Sequence, residues 1–296
     1  MLKKPLEYAD QVKQLKDHGM VIADDAAAEN ALRQINYYRF TGYALQFRKS
    51  PNVSEYCPGT SFDHILDLYH FDESLRNTLR KYIEIAEVYY RTVISHEFAM
   101  VKCLNEPHDQ HYDEKSYYNK EWFSEIKNHF EQEKAYYKDS LIMKHHAKNY
   151  DGKMPLWVMV EMMSMSDVSK LYSCMYYSEQ TRISNVVNAK TDELRNHLHC
   201  ISVLRNKCAH AARLYNTTFY PSTELGRNFL LKNKDVKNDT LFAYLIILVK
   251  RLPEKDLKQQ LVQDLERIMA EYKQTIDFQV LGFPEGWEKL LWNQTH

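Results

Sequence analysis

Apolar residues recur along this chain at spacings of three and four, the period of an α-helix with one buried face. Residues 5–18 read as a first helix, closed by Gly19. Asp24 and Asp25 offer caps for a second helix over 26–47. Pro51, Pro58 and Gly59 mark 50–60 as a loop. Two helices fit 62–102, broken near His70 to Asp72, and the second carries Leu75, Leu79, Ile83, Ala86, Tyr90 and Ile94 at core spacing. A polar loop at 105–118 leads into a charged, aromatic surface helix over 121–150. Asp151, Gly152 and Pro155 break the chain again. The Met-rich stretch 157–177 reads as a central core helix, with Met159 to Met165 as packing rather than a cofactor site. A Pro-, Thr-, Gly- and Asn-rich connection at 217–238 precedes closing helices at 240–251 and 254–276. The tail docks through Trp287 and Trp292.

The segment between the core helix and that connection is the most informative. It reads LRNHLHCISVLRNKCAHAARLYNTTF over 194–219. On a continuous helix, Arg195, His199, Ser202, Asn206, His210 and Arg213 form one narrow stripe, while Leu194, Leu198, Ile201, Leu204, Cys208 and Ala211 lie mostly opposite. A front of Arg, His, Ser and Asn without a carboxylate suits an anionic ligand such as a phosphodiester, with histidine available for proton transfer.

Composition narrows the class. Seven Gly and eight Pro in 296 residues argue against a sheet-rich fold with many tight turns, so the expectation is all-α. The 44% apolar and 27% charged residues are ordinary for a globular protein. The longest apolar run, residues 241–249, is far short of the ~20 residues of a membrane span. The start, MLKKPLEYADQVKQL, lacks the apolar core of a signal peptide, and five cysteines form no CxxC pair. The expectation is a reduced, cytoplasmic protein. A net charge of −1 excludes a globally basic nucleic-acid binder but leaves room for a local basic groove. The 22 tyrosines suit base stacking or helix packing, and packing accounts for most of them.

Arg205 and His210 are separated by four residues in Arg205-Asn206-x-x-x-His210. The spacing alone carries little, since Arg91 and His96 repeat it. Its context carries more. The phrase LRNKCAHAARLYNTTF resembles the C-terminal signature of the Abi-type abortive-infection proteins of bacteria, the AbiD/AbiF group. Four further phrases resemble that family in the same order: INYYRFTGY at 35–43, LYHFDESLR at 68–76, IAEVYYRTVI at 85–94 and PLWVMVEMMSMSDVSKLY at 155–172. Two departures, Met165-Ser166 in place of Phe-Gly and Tyr215 in place of Trp, lie outside the polar stripe and bear on packing rather than chemistry.

The resemblance implies a HEPN-type helical bundle at 51–296 behind an N-terminal helical region at 1–50. It implies phage defence, metal-independent RNA cleavage at an R-x4–6-H site shared by two facing copies, and for some relatives restraint by a small noncoding RNA acting as antitoxin. Arg205, Asn206 and His210 are then the catalytic set. Arg195, Lys207 and Arg213 contact RNA, and Glu87 with Arg91 supports the motif helix. His210 suits proton transfer near neutral pH, and Arg205 suits a growing phosphate charge better than lysine. One histidine per copy supplies one proton-transfer group, hence a homodimer.

Other readings stand beside these. His210 also fits a structural histidine, Asn206 a packing amide, and Arg205 and Arg213 ordinary surface cations. Arg91 pairs with Glu87 one turn back, or the two orient the motif helix. Tyr37-Tyr38-Arg39 either packs with one charge outward or touches RNA. For the whole protein, the alternatives are a non-catalytic RNA-binding module and a protein-interaction regulator. His197, His199, Cys200, Cys208 and His210 lack the i,i+4 spacing of helical zinc sites, and no phosphate-cradling glycine loop occurs, so neither metal nor cofactor is expected.

Overall fold

The computed structural model describes residues 4–296, and among them it contains fourteen α-helices, short 3-10 turns and no strand. The all-α expectation holds. No helix among the described residues is long and apolar enough to cross a membrane. One contiguous apolar cluster runs from Val12 in the first helix to Leu291 in the last.

The N-terminal part is α1 (Tyr8–Asp17), α2 (Asp25–Gln34) and α3 (Tyr37–Ala44). The single helix expected at 26–47 is two helices and a 3-10 turn. Ile35 adopts an extended conformation, and the Asn36 side chain accepts from the Tyr38 amide at 2.9 Å, capping a new helix where a continuation was expected. Asp24 caps α2 as anticipated, accepting from the Ala27 amide.

The central element is α4 (Phe62–Lys102), 41 residues without an interruption. That is roughly 60 Å of helix at 1.5 Å per residue. The break expected at His70 to Asp72 is absent. No Gly or Pro occurs in α4, and Asp72 points inward, fully buried, to bond a distant segment instead of its own backbone. Ile65, Leu68, Leu75, Leu79, Ile83, Ala86, Tyr90 and Ile94 are all buried along one face.

Beyond the loop come α5 (Lys120–Tyr136), α6 (Leu141–Tyr150), α7 (Leu156–Met162), α8 (Met165–Cys174) and α9 (Tyr177–Val186). Two expected long helices are therefore each divided, at serine caps. Ser140 accepts from the Met143 amide, and Ser164 from the Asp167 amide. The first pair is also less superficial than its charge implied, because Phe123, Ile126 and Phe130 are buried. The ninth helix fills a stretch that periodicity left unassigned.

The motif helix is α10 (Thr191–Ala209), which packs against α4, α8, α9 and α12. The short α11 (Arg227–Lys232) interrupts the connection, and α12 (Leu241–Arg251), α13 (Lys255–Glu271) and α14 (Trp287–Trp292) close the fold. Trp287 is buried, and the Trp292 indole donates to Glu266 at 2.6 Å.

Candidate functional site

The apolar back of α10 forms as its spacing predicts: Leu194, Leu198, Ile201, Leu204 and Cys208 are buried. The helix stops ten residues before the expected end. His210 is its C-terminal cap, and Ala211 turns left-handed at φ 50°. The Ala212 amide donates to the Lys207 carbonyl at 2.8 Å and the Ala211 amide to that of Cys208 at 3.3 Å, the paired bonds of a Schellman turn. Glycine is usual at such a position because a Cβ there costs roughly 1–2 kcal/mol. Ala211 gave the sequence no stop signal, and the turn is held from outside.

Three arginines on other helices donate to carbonyls at this end. Arg80 bonds Cys208 through Nε at 3.0 Å and Nη2 at 2.6 Å, Arg76 bonds Ala212 at 3.3 Å, and Arg39 bonds Ala211. Cations are favoured there by the carbonyl dipoles of the helix terminus. Asp72 fixes the next residues, accepting the Leu214 and Tyr215 amides at 2.9 Å each. It also accepts from Tyr43 at 2.7 Å and Arg76 at 2.6 Å. Burial pushes the Asp72 carboxyl up, and these four donors favour its charged form.

A second network holds the last two turns of α10, just ahead of that end. The Arg205 Nε donates to Glu87 Oε2 at 3.2 Å, and Glu87 Oε1 also pairs with Arg91. Arg91 in turn donates to the Val160 carbonyl in α7. Nη1 of Arg205 lies 3.4 Å from Asn206 Oδ1, and Asn206 Nδ2 donates to Ser166 Oγ at 3.1 Å. Glu87 and Arg91 thus form the i,i+4 pair, and Glu87 also bonds Arg205 of the motif helix. Ser166, one of the two departures from the family phrases, was expected to lie clear of the polar stripe. It bonds Asn206 instead, because α8 crosses α10 at that point.

A cleft of about 510 Å³ opens beside this network, lined by Arg80, Arg91, Arg205, Glu84, Glu87 and Glu161 and reaching Cys208 and Ala209. His210 follows immediately, exposed and outside the core. The Asn206 side chain is committed to Arg205 and Ser166 and leaves His210 to the helix backbone bond, 3.0 Å from the His210 amide to the Asn206 carbonyl.

The three other cations of the motif segment are not brought to this cleft. Arg195 donates to Gln180 at 2.7 Å and lines a separate cavity of about 640 Å³ with His199, Ser202 and Lys170. Burial and Lys170 lower the His199 pKa. Lys207 sits 5.1 Å over the Phe219 ring, its pKa lowered by burial and by Arg213. Arg213 lies beyond the helix, donating to the Gly42 carbonyl in α3. His197 is fully buried between the Glu224 carbonyl at 2.9 Å and Arg251 Nε at 3.0 Å, and desolvation with the Arg251 charge pushes its pKa down to about 3.

The five phrases singled out in the sequence meet in these two networks. Residues 30–216, well over half of the chain, match the model of the Abi-like protein family. The chain belongs to the Abi-like family. The match takes in every residue that holds the end of α10, from Arg39 to Tyr215, and membership points to abortive infection, the defence of bacteria against phage. No curated protein and no solved structure matches the chain. Asp72, Arg76, Arg80 and Ser166 escaped the reading of individual residues. The signal for Asp72, Arg76 and Ser166 was the coincidence of family phrases across distant segments, and Arg80 lies outside those phrases.

Proposed function

We propose that this Abi-like protein is a metal-independent endoribonuclease of the HEPN type, working as a cytoplasmic homodimer in phage defence under the control of a noncoding RNA. The observation that supports this most is the pairing of a held arginine with an exposed histidine at one end of one helix. Glu87 and Asn206 fix two nitrogens of Arg205, and among the described residues its Nη2 has no partner and stays available to a phosphate oxygen. His210 is exposed and follows directly on Ala209, which lines the same cleft.

The chemistry is transesterification. One His210 takes the proton of the RNA 2′-hydroxyl, whose oxygen attacks the adjacent phosphorus. The phosphorus–O5′ bond breaks, and His210 of a second copy gives the leaving oxygen its proton. Arg205 stabilises the charge that grows on the phosphate. The products are a 2′,3′-cyclic phosphate and a 5′-hydroxyl. Asn206, Glu87 and Arg91 act by position, setting the plane of the Arg205 fork. Arg195, Lys207 and Arg213 hold the RNA along its path to the cleft.

Incubating purified protein with total RNA in EDTA, then mapping end groups, tests the reading. Cleavage with cyclic-phosphate ends, lost in His210→Ala and in Arg205→Ala protein, is expected. RNA binding without cleavage makes the protein the non-catalytic RNA-binding module. Full activity in His210→Ala protein overturns the proposal.

A further inference from the structure

Another cavity lies away from Arg205. About 980 Å³ opens between α1, α3, the loop that follows α3 and the turn after α10. Its walls carry three arginines, Arg39, Arg48 and Arg213, and four tyrosines, Tyr37, Tyr38, Tyr43 and Tyr56. No carboxylate lines it, in a chain whose net charge is −1. Among the described residues none of the three arginines forms an ion pair, whereas Arg76, Arg91, Arg182, Arg195 and Arg205 all do.

Arg48 is the telling group. Its Nε is buried without a hydrogen-bond partner. Burial raises the pKa of Tyr37 and of Tyr56, and the Arg48 charge beside them opposes that rise. A buried charged donor left without an acceptor is unfavourable, and a bound anion removes the deficit. At the rim, the Tyr38 ring is 87% exposed. An isolated exposed aromatic beside arginines offers a face for stacking, and the guanidinium forks match phosphate geometry. A ligand that presents a flat aromatic group and a phosphate at short range is a nucleotide. The volume lies within the range of small-molecule sites.

We infer that this groove binds a nucleotide unit, with phosphate on Arg48 and Arg213 and base against Tyr38. The unit is either a free nucleotide or one residue of an RNA strand. Occupancy also reaches the motif helix. Arg39 donates to the Ala211 carbonyl, and Arg213 to the Gly42 carbonyl, so the walls of the groove hold the turn directly after His210. A phosphate that draws these guanidiniums inward competes with the bonds that set the His210 backbone. Only this last link rests on the cleavage reading; binding does not.

Fluorescence anisotropy on His210→Ala protein, which keeps the strand whole, tests the site with labelled ten-nucleotide polyadenylate and polyuridylate. AMP and inorganic phosphate serve as competitors. Two variants probe the groove. Tyr38→Ala alters an exposed ring and leaves folding intact, and Arg48→Gln removes the unpaired charge. Tyr38→Ala should weaken binding about fivefold to a hundredfold. Arg48→Gln should reduce the salt slope by about 0.7. Competition by AMP at low concentration assigns the groove to a free nucleotide, and failure of AMP against a bound strand assigns it to RNA; either supports the site. Binding unchanged in both variants, or no binding by oligonucleotide and AMP alike, overturns it. Cleavage by the wild-type protein with an unaffected Tyr38→Ala variant sinks the groove alone. Tyr38-dependent binding without any cleavage sinks the ribonuclease alone.

Discussion

The cleft at Arg205 and the groove at Arg48 each present three arginines, and the surroundings of those arginines differ. In the cleft, Arg80, Arg91 and Arg205 face Glu84, Glu87 and Glu161, so charge is balanced and the guanidiniums are oriented by named partners. In the groove, Arg39, Arg48 and Arg213 face tyrosines, and no carboxylate offsets them. A paired arginine has a fixed direction and a weak external field. In the groove, Arg39 and Arg213 are directed by the Ala211 and Gly42 carbonyls, but no carboxylate weakens their field. The first arrangement serves a reaction in which one fork meets one phosphate, and the second serves the capture of an anionic chain in a protein whose net charge is near zero. The turn at Ala211 belongs to both, since Arg80 and Arg39 grip it from either side.

The sharpest way to break this division is His210→Ala. Loss of a positioned proton-transfer group should lower cleavage by about 10²- to 10⁴-fold. His210 is exposed, so the thermal midpoint should stay where it is. A large drop in stability instead would assign His210 to the fold. Next in size is Asp72→Ala, which strands Arg76 and two amides in the core. Chemical denaturation should show a loss of about 3–5 kcal/mol. Because Asp72 anchors the turn shared by cleft and groove, RNA cleavage and RNA binding should fall together in this variant, unlike any substitution within one of the two regions.

A pH titration of stability separates folding from catalysis. His197 is neutral in the fold, with its pKa at about 3 against the usual 6.5. The unfolded chain therefore binds the extra proton between those values. Stability should be constant above about pH 6.5 and should fall as pH drops toward 3, by a few kcal/mol at most. His197→Phe should flatten that slope in urea titrations at several pH values. An unchanged slope would move its origin to other groups. The smallest effect expected is from Glu87→Gln. Losing the charge that holds both Arg205 and Arg91 should cost about 1.5–3 kcal/mol of transition-state stabilisation, read as a lower kcat with little change in KM for RNA. A change in KM alone would mean that Arg205 binds substrate and does not act in the reaction.

Periodicity disclosed the helices of this chain better than their ends. The face of α4 from Leu75 to Ile94 was legible because its apolar spacing is regular. The continuity of α4 through Asp72 was not, because a buried carboxylate in mid-helix makes sense only with Arg76, Tyr43 and the Leu214 and Tyr215 amides beside it. The stop after Ala209 was hidden for a similar reason: Ala211 carries no signal for a left-handed turn, and the groups that hold it come from residues 39, 76 and 80. Arg205, Asn206 and Glu87 were legible as a set once the family phrases were set side by side. Arg48 was not, because an arginine in a loop acquires meaning only when the absence of a carboxylate around it becomes visible.

The most direct test of the division between cleft and groove is a single-turnover cleavage titration, run over RNA concentration on the wild-type, His210→Ala and Arg48→Gln proteins in EDTA. Arg48→Gln should shift the half-saturating RNA concentration upward and reach the wild-type rate at its plateau. His210→Ala should bind over the wild-type range with a plateau at least about a hundredfold lower. A lowered plateau in Arg48→Gln with unshifted half-saturation, or a wild-type plateau in His210→Ala, would contradict it.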